Sequence, residues 1–207
     1  HENMATRKIK VGNIQIGGGA RISVQSMTTL PPSDVDGTVA EILALERAGC
    51  DVVRVAVPAE RDADAIAAVR QAVHIPVVAD IHFDARLAVR AAEHGADKIR
   101  VNPGNLGGEN KVKLVADAVR AHHIPVRVGA NTGSIARAFY ERYGGRTAEA
   151  LAESALAEAR AFEKCGVSDI VLSVKASDVP LTVAAYRYLS ARCDYPLHLG
   201  VTEAGRR

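Results

Sequence analysis

A motif that returns at a near-constant interval constrains this chain more than anything else in it. Ala48-Gly49-Cys50-Asp51 precedes VVRVAVP, His94-Gly95-Ala96-Asp97 precedes KIRVNPG, and Cys165-Gly166-Val167-Ser168-Asp169 precedes IVLSVKAS. Each reads as a glycine that ends a helix, followed by an apolar run suited to a buried strand. A second series alternates with the first: HIPVVAD from His74, HIPVRVG from His123 and DYPLHLG from Asp194 open strands after a proline. The first two copies are 46 residues apart in one series (Gly49 to Gly95) and 49 in the other (Pro76 to Pro125), and both then step by 71. One insertion between about Thr132 and Ala150 explains both jumps, with GSIARAFYERYGG reading as an extra short helix and loop.

Helical patterns with one apolar stripe lie between these strands, as at Ile66, Val69 and Val73 or Val112, Val115, Ala116 and Val119. With SVQSM near Ser23 and strands beginning near Val52, Val77, Lys98, Val126, Ile170 and Leu197, seven strands are expected. Apolar strands alternating with helices imply a parallel sheet covered on both faces. The fold class read here is α/β, a (β/α)8 TIM barrel, incomplete because the chain stops just after its seventh strand. A doubly wound open sheet is the alternative. KVGNIQIGGGAR reads as a hairpin turning at Gly12-Asn13 and plugging the barrel bottom. The expected organisation is a tail over 1–6, with His1 to Asn3 as a tag remnant ahead of Met4, a hairpin over 7–21, and a barrel over 22–207.

Composition narrows the function classes. With 26 basic and 24 acidic residues the net charge is +2, too close to neutral to argue for nucleic acid or a membrane surface as partner. Aromatics make up 4% and tryptophan is absent, which disfavours a stacking platform for single strands. No apolar run approaches the roughly 20 residues that cross a bilayer, and no apolar signal core opens the chain, so a cytoplasmic location is expected. Cys50, Cys165 and Cys193 are far apart and lack paired C-x-x-C spacing, so no metal or iron–sulfur site is expected within this chain.

Charged residues stand where packing would forbid them. Arg54 lies in VVRVAV, Arg100 in KIRVNP, Arg127 in PVRVGA and Lys175 in LSVKAS, one on each of four strands. An unpaired buried charge costs several kcal/mol, so these four require carboxylates or a bound polyanion. Asp80, Asp178 and Glu203 could supply an internal ion-pair network. The functional alternative is a phosphate or diphosphate pocket, because guanidinium forks match phosphate oxygens bidentately. More polar residues cluster toward the same strand ends, where barrel enzymes place their chemistry: Gln25, Ser26, Asn102, Asn105, Asn131, Ser173, Ser177, His198, Thr202 and Glu203. Asp80 and His82 share one strand face and suit an acid/base pair, two metal ligands or a hydrogen-bonded pair at the barrel mouth. Gly104, Gly107 and Gly108, like Gly129 and Gly133, fit either a phosphate-holding loop or a plain turn. Asp84 reads as a helix N-cap, and His74, His122 and His123 as surface residues at the opposite end.

Six ordered motifs carry a resemblance: VQSMT from Val24, VRVAVP from Val53, VADIHFD from Val78, RVNPGN from Arg100, LSVKASD from Leu172 and HLGVTEAG from His198. Together they closely resemble the 4-hydroxy-3-methylbut-2-enyl diphosphate synthase family of the methylerythritol phosphate route to isoprenoids. The resemblance runs from about Arg7 to Gly205. It implies an oxidoreductase that opens 2-C-methyl-D-erythritol 2,4-cyclodiphosphate with two electrons and loss of water, the substrate lying in the mouth of a TIM barrel. It further implies that Arg54, Arg100, Arg127 and Lys175 hold the diphosphate with Asn102, Asn131, Ser177 and His198. On the same ground Asp80, His82 and Glu203 line the reacting carbons. The family's [4Fe–4S] cluster sits on three Cys and a Glu in a C-terminal domain that caps a partner's barrel in a homodimer, and ferredoxin or flavodoxin supplies electrons. Cys50, Cys165 and Cys193 match none of the cluster positions, so the chain is expected to carry the pocket without the redox centre and to be inactive alone. Two other readings stay open: a class I aldolase-like enzyme with Lys175 as Schiff-base nucleophile, and a non-catalytic fragment whose open barrel edge drives assembly.

Overall fold

The computed structural model describes residues 6–18 and 23–198. Two short strands, β1 (Ile9–Val11) and β2 (Ile14–Ile16), pair antiparallel about a Gly12-Asn13 turn, with Gly12 at φ +56°. The repeat follows: β3 (Gln25–Met27), α1 (Val35–Arg47), β4 (Val52–Ala56), α2 (Glu60–Ala72), β5 (Val77–Ile81), α3 (Ala85–Glu93), β6 (Lys98–Val101), α4 (Glu109–Ala121) and β7 (Val126–Asn131). The expected insertion is the short helix α5 (Arg137–Arg142), ahead of α6 (Ala148–Lys164), β8 (Ile170–Lys175) and α7 (Val179–Ser190).

The local signals act as the sequence implies. Gly49, Gly95 and Gly166 all take positive φ (+95°, +98° and +87°), the backbone that ends a helix and sends the chain back along the next strand. Four of the described helix starts are capped by side chains. Asp34 accepts from the Gly37 amide, Asp84 from Arg86, Thr147 from Ala150 and Asp178 from Leu181.

Strands β3 to β8 form one six-stranded sheet in sequential order, and every pairing is parallel. Sequential order without reversal is the winding of a barrel and not of a doubly wound sheet. The sheet curls far enough for Arg127 of β7 to donate to Gln25 Oε1 of β3 at 3.0 Å across the hollow. A seventh strand is only begun within the described residues: Leu197 bridges Leu172 in parallel, and the His198 amide reaches Leu172 O at 2.7 Å.

The outward residues of the strands, among them Val53, Val55, Ala79, Ile99, Val101, Val128 and Leu172, join the helix stripes in one core that includes Ile42, Ile66, Leu151 and Phe162. A second, small cluster sits at the barrel bottom, where Val52 and Val78 meet Val11, Ile14 and Ile16 of the hairpin. The hairpin is therefore the plug that its sequence suggests. Arg7 fastens it by donating its amide to Asp194 O at 2.7 Å and its Nε to Asp194 Oδ1 at 2.9 Å, with Glu163 at 3.3 Å and the Tyr195 ring beneath the guanidinium. No helix among the described residues is long and apolar enough to cross a membrane.

Candidate functional site

Strand periodicity builds the site. Alternate residues face opposite sides of a strand, so the positions that leave the outer core face the hollow. These are Gln25 and Met27 on β3, Arg54 on β4, Asp80 on β5, Lys98 and Arg100 on β6, Arg127, Gly129 and Asn131 on β7, and Ser173 and Lys175 on β8. Register aligns them in layers. Asp80 pairs with Arg100 and Arg100 with Arg127, while one step higher Gly129 pairs with Ser173.

Asp80, 2% exposed, is the hub of the layer. Its Oδ2 lies 3.5 Å from Arg54 Nε and its Oδ1 3.3 Å from Arg100 Nη1, and His82 Nε2 stands 3.9 Å away with half its side chain in solvent. Neither arginine is saturated among the described residues: Arg54 Nε and Arg100 Nε are buried without a hydrogen-bond partner there. Arg127 leans on neutral groups, donating to Ser173 Oγ and Gln25 Oε1, both at 3.0 Å. Lys98 is wholly buried, and its Nζ has no partner among the described residues. Asp178, a candidate counter-ion on sequence grounds, is occupied in capping α7.

A mostly cationic interior has the expected effects on titration. Burial, reinforced by Arg54 and Arg100, pushes Arg127 down to about 9. Burial lowers Arg54 as well, against the pull of Asp80 and with the help of Arg100. Burial, with Arg127 and Lys98 the leading charges, holds His198 at about 2, so its ring is neutral at any physiological pH. Its backbone oxygen accepts a bond from the Tyr186 hydroxyl, which in turn accepts from the Val174 amide at 3.1 Å.

Gly129 is the seat of Arg100. A Cβ there would lie 2.5 Å from Arg100 Nη2 and 2.9 Å from both Cζ and Nε, so the guanidinium lies across bare backbone. That is neither of the roles its sequence context suggests. At the mouth, Asn102 caps the following turn by accepting from the Gly104 amide at 3.1 Å, which leaves its buried Nδ2 without a partner. Asn131 is exposed and caps the next turn through the Gly133 amide at 2.9 Å.

The structure thus gathers Arg54, Asp80, Arg100, Asn102, Arg127 and His198 about the hollow and sets His82 at its rim. Lys175, the last residue of β8, and Ser177 just beyond it are both exposed, so Lys175 is not a buried cation of the strand interior. Thr202 and Glu203 lie outside the described residues. Two residues were missed by sequence reasoning. Lys98 shares a face with Arg100 by simple two-residue spacing, but its place at the start of a strand does not reveal its burial. Glu158, on α6, approaches the Gly104 turn. Burial raises it to about 8, against the pull of the Gly104 amide and Arg100. Nothing in a helical stripe announces that contact.

The cysteines do not fit an iron–sulfur cluster. Cys50 Sγ donates to the Val52 carbonyl at 3.1 Å, Cys193 is buried, and Cys165 ends α6. Among the described residues no group of three or more His, Cys, Asp or Glu is placed to hold a metal ion.

Comparison with known proteins agrees with this architecture. The chain is 53% identical over 200 residues to a 4-hydroxy-3-methylbut-2-en-1-yl diphosphate synthase (flavodoxin) of Caldanaerobacter subterraneus subsp. tengcongensis, with 97% of this chain and 56% of the relative covered. It is 52% identical to the protein of the same name in Lysinibacillus sphaericus, with 97% and 54% covered. The chain therefore spans just over half the length of these relatives. Among solved structures, a truncated form of 3-deoxy-D-arabino-heptulosonate 7-phosphate synthase from Thermotoga maritima superposes with a TM-score of 0.67 at 16% identity, over 93% of this chain and 68% of that one. That likeness speaks for the fold alone. The GcpE TIM-barrel domain matches residues 6–207, the whole of the described structure, and the chain belongs to that family.

Proposed function

We propose that this chain is the substrate-binding barrel of an enzyme that opens 2-C-methyl-D-erythritol 2,4-cyclodiphosphate by two electrons, with loss of water, to 4-hydroxy-3-methylbut-2-enyl diphosphate. One observation carries the reading. Arg54, Arg100, Arg127 and Lys98 crowd one hollow in which Asp80 is the carboxylate in contact with them among the described residues. Two of the three guanidiniums keep a buried nitrogen with no partner among the described residues. Such a set is incomplete without an anion, and a cyclic diphosphate brings two negative charges in a rigid ring.

In this reading Arg54, Arg100 and Arg127 grip the phosphates from the wall, and Asn102 Nδ2 and the neutral ring of His198 contribute uncharged hydrogen bonds. Lys175, Asn131 and Ser177 close over the ligand from the rim. Asp80 and His82 face the reacting carbons together with Glu203. The domain division is likewise a proposal: hairpin plug over 7–21, barrel from 22 onward, and the iron–sulfur centre in a separate part of the full-length protein. The described residues do not offer the cluster's ligands. The relatives' name makes flavodoxin the proposed electron donor. An aldolase with Lys175 as nucleophile is less well supported, because its desolvation argument needs a buried amine and Lys175 is exposed.

Calorimetric titration of the chain with the cyclodiphosphate tests the proposal. Saturable binding, lost in Arg127→Ala, is the expected result. A folded wild-type chain that ignores the ligand at millimolar concentration overturns it.

A further inference from the structure

Among the described residues, Lys98 is the one cation of the hollow that no hydrogen-bond acceptor answers. It sits one layer below Arg100 on β6, opposite Val78, with no exposed surface and no hydrogen-bond partner for Nζ. Arg127 from the adjacent β7 and Arg54 from β4, two strands away, both oppose a charge on it. Asp80 on β5 is committed to Arg54 and Arg100, and the ring of His198 also senses Lys98. Glu158 faces Arg100 from α6, and Tyr186 faces Arg127 from α7. A lysine is an expensive way to fill such a position if filling is all it does, because a methionine of similar length packs without a polar atom to satisfy.

We propose that Lys98 is the proton-accepting floor of the anion site: its side chain gains one proton from solvent when a doubly charged ligand settles among Arg54, Arg100 and Arg127, and it thereby sets the pH dependence of binding. This rests on the anion-site reading above and adds to it a residue and a linked proton. The balance is simple, since amine and proton give ammonium and no other bond changes.

The physical argument is one of neighbours. In the empty barrel the amine is desolvated and flanked by cations, and burial with Arg127 and Arg54 brings it down to about 7. A dianion bound above it reverses the sign of the local field and favours the ammonium. Between the free and bound values, affinity then falls about tenfold for each unit of rising pH.

Calorimetry in two buffers of different ionisation enthalpy counts the protons directly. The probe is 2-C-methyl-D-erythritol 2,4-cyclodiphosphate, whose phosphorus atoms each keep one strongly acidic oxygen, so the ligand itself does not titrate near neutrality. About one pH unit above the free value of Lys98, binding is expected to take up ~0.9 proton. The uptake should persist in Glu158→Gln and vanish in Lys98→Met, which should also flatten the pH dependence of affinity. Binding without proton uptake, uptake that survives Lys98→Met, or uptake lost in Glu158→Gln each overturns the proposal while leaving the anion site standing. Failure of the wild-type chain to bind the cyclodiphosphate overturns both. Should Lys98→Met not fold, the Cε resonance of Lys98 in the wild-type chain decides: it moves to the ammonium position on ligand addition if the proposal holds and stays put if it does not.

Discussion

The two faces of one sheet follow opposite rules. Outward from the strands, Val53, Val55, Ala79, Ile99, Val128 and Leu172 are all fully buried against helices and carry no polar atom beyond the backbone. Inward, Val52 and Val78 meet the hairpin at the bottom, and Arg54, Asp80, Lys98, Arg100 and Arg127 stand among a few apolar neighbours such as Val171. Both faces belong to the same residues' neighbours, since each arginine sits between two valines or their equivalents in sequence. The outer face holds the barrel together and fixes register, because a slip of one residue would drive guanidiniums under the helices. The inner face contributes little cohesion and assembles charges that repel one another. The contrast separates what the fold needs from what a ligand needs.

The largest expected effect tests the outer face. Leu172→Ala removes a fully buried side chain packed in the main core and should lower unfolding stability by about 2–5 kcal/mol, measured by denaturant melts. A loss below 1 kcal/mol would mean the outer face is not the stabilising one.

The inner face should give the opposite sign. Lys98→Met replaces an unpartnered buried amine by an apolar chain and should raise stability by about 1–4 kcal/mol at neutral pH. The pH dependence follows from the lowered native value of Lys98, from 10.5 to about 7. Between those limits the unfolded chain holds a proton that the folded one lacks, so this residue's contribution rises with pH and its penalty is complete below about 7. Glu158, raised to about 8 from 4.5, works the other way, since its folded state binds more protons and its contribution falls as pH rises across that range. The difference between wild-type and Lys98→Met melts isolates Lys98. If that difference is flat from neutral to alkaline pH, the amine is already charged in the folded state.

The smallest stability effect sharpens the division of labour. Gly129→Ala should cost about 1 kcal/mol, because the atoms it crowds are the end of a flexible side chain, yet it displaces the Arg100 guanidinium from Asp80. We expect near-wild-type melting with at least tenfold weaker binding of the cyclodiphosphate. Unchanged affinity would remove Arg100 from the ligand's surroundings.

Much of this was legible in the sequence because it depends on local chemistry. Gly49, Gly95 and Gly166 mark helix ends by the backbone they allow, Asp84 caps its helix, and alternation in VVRVAV puts Arg54 on one face without any tertiary information. The site residues on strands were found by the same logic, as a charge between valines is an anomaly that a reader can see. What escaped depends on distance in space. Gly129 is small because an arginine from the next strand lies on it, Asp178 looks like a counter-ion until its helix claims it, and Glu158 reaches the mouth from a helix whose pattern is ordinary. Lys98 escaped for a different reason: its spacing from Arg100 was readable, but its burial appears only once the hairpin and the neighbouring strands enclose the hollow.

The clasp of Arg7 on Asp194 links positions at opposite ends of the described chain, 187 residues apart. A contact of such separation cannot form until every strand from β1 to β8 has left the ribosome. The base of the vessel is therefore clasped only after the six strands of its wall have been synthesised.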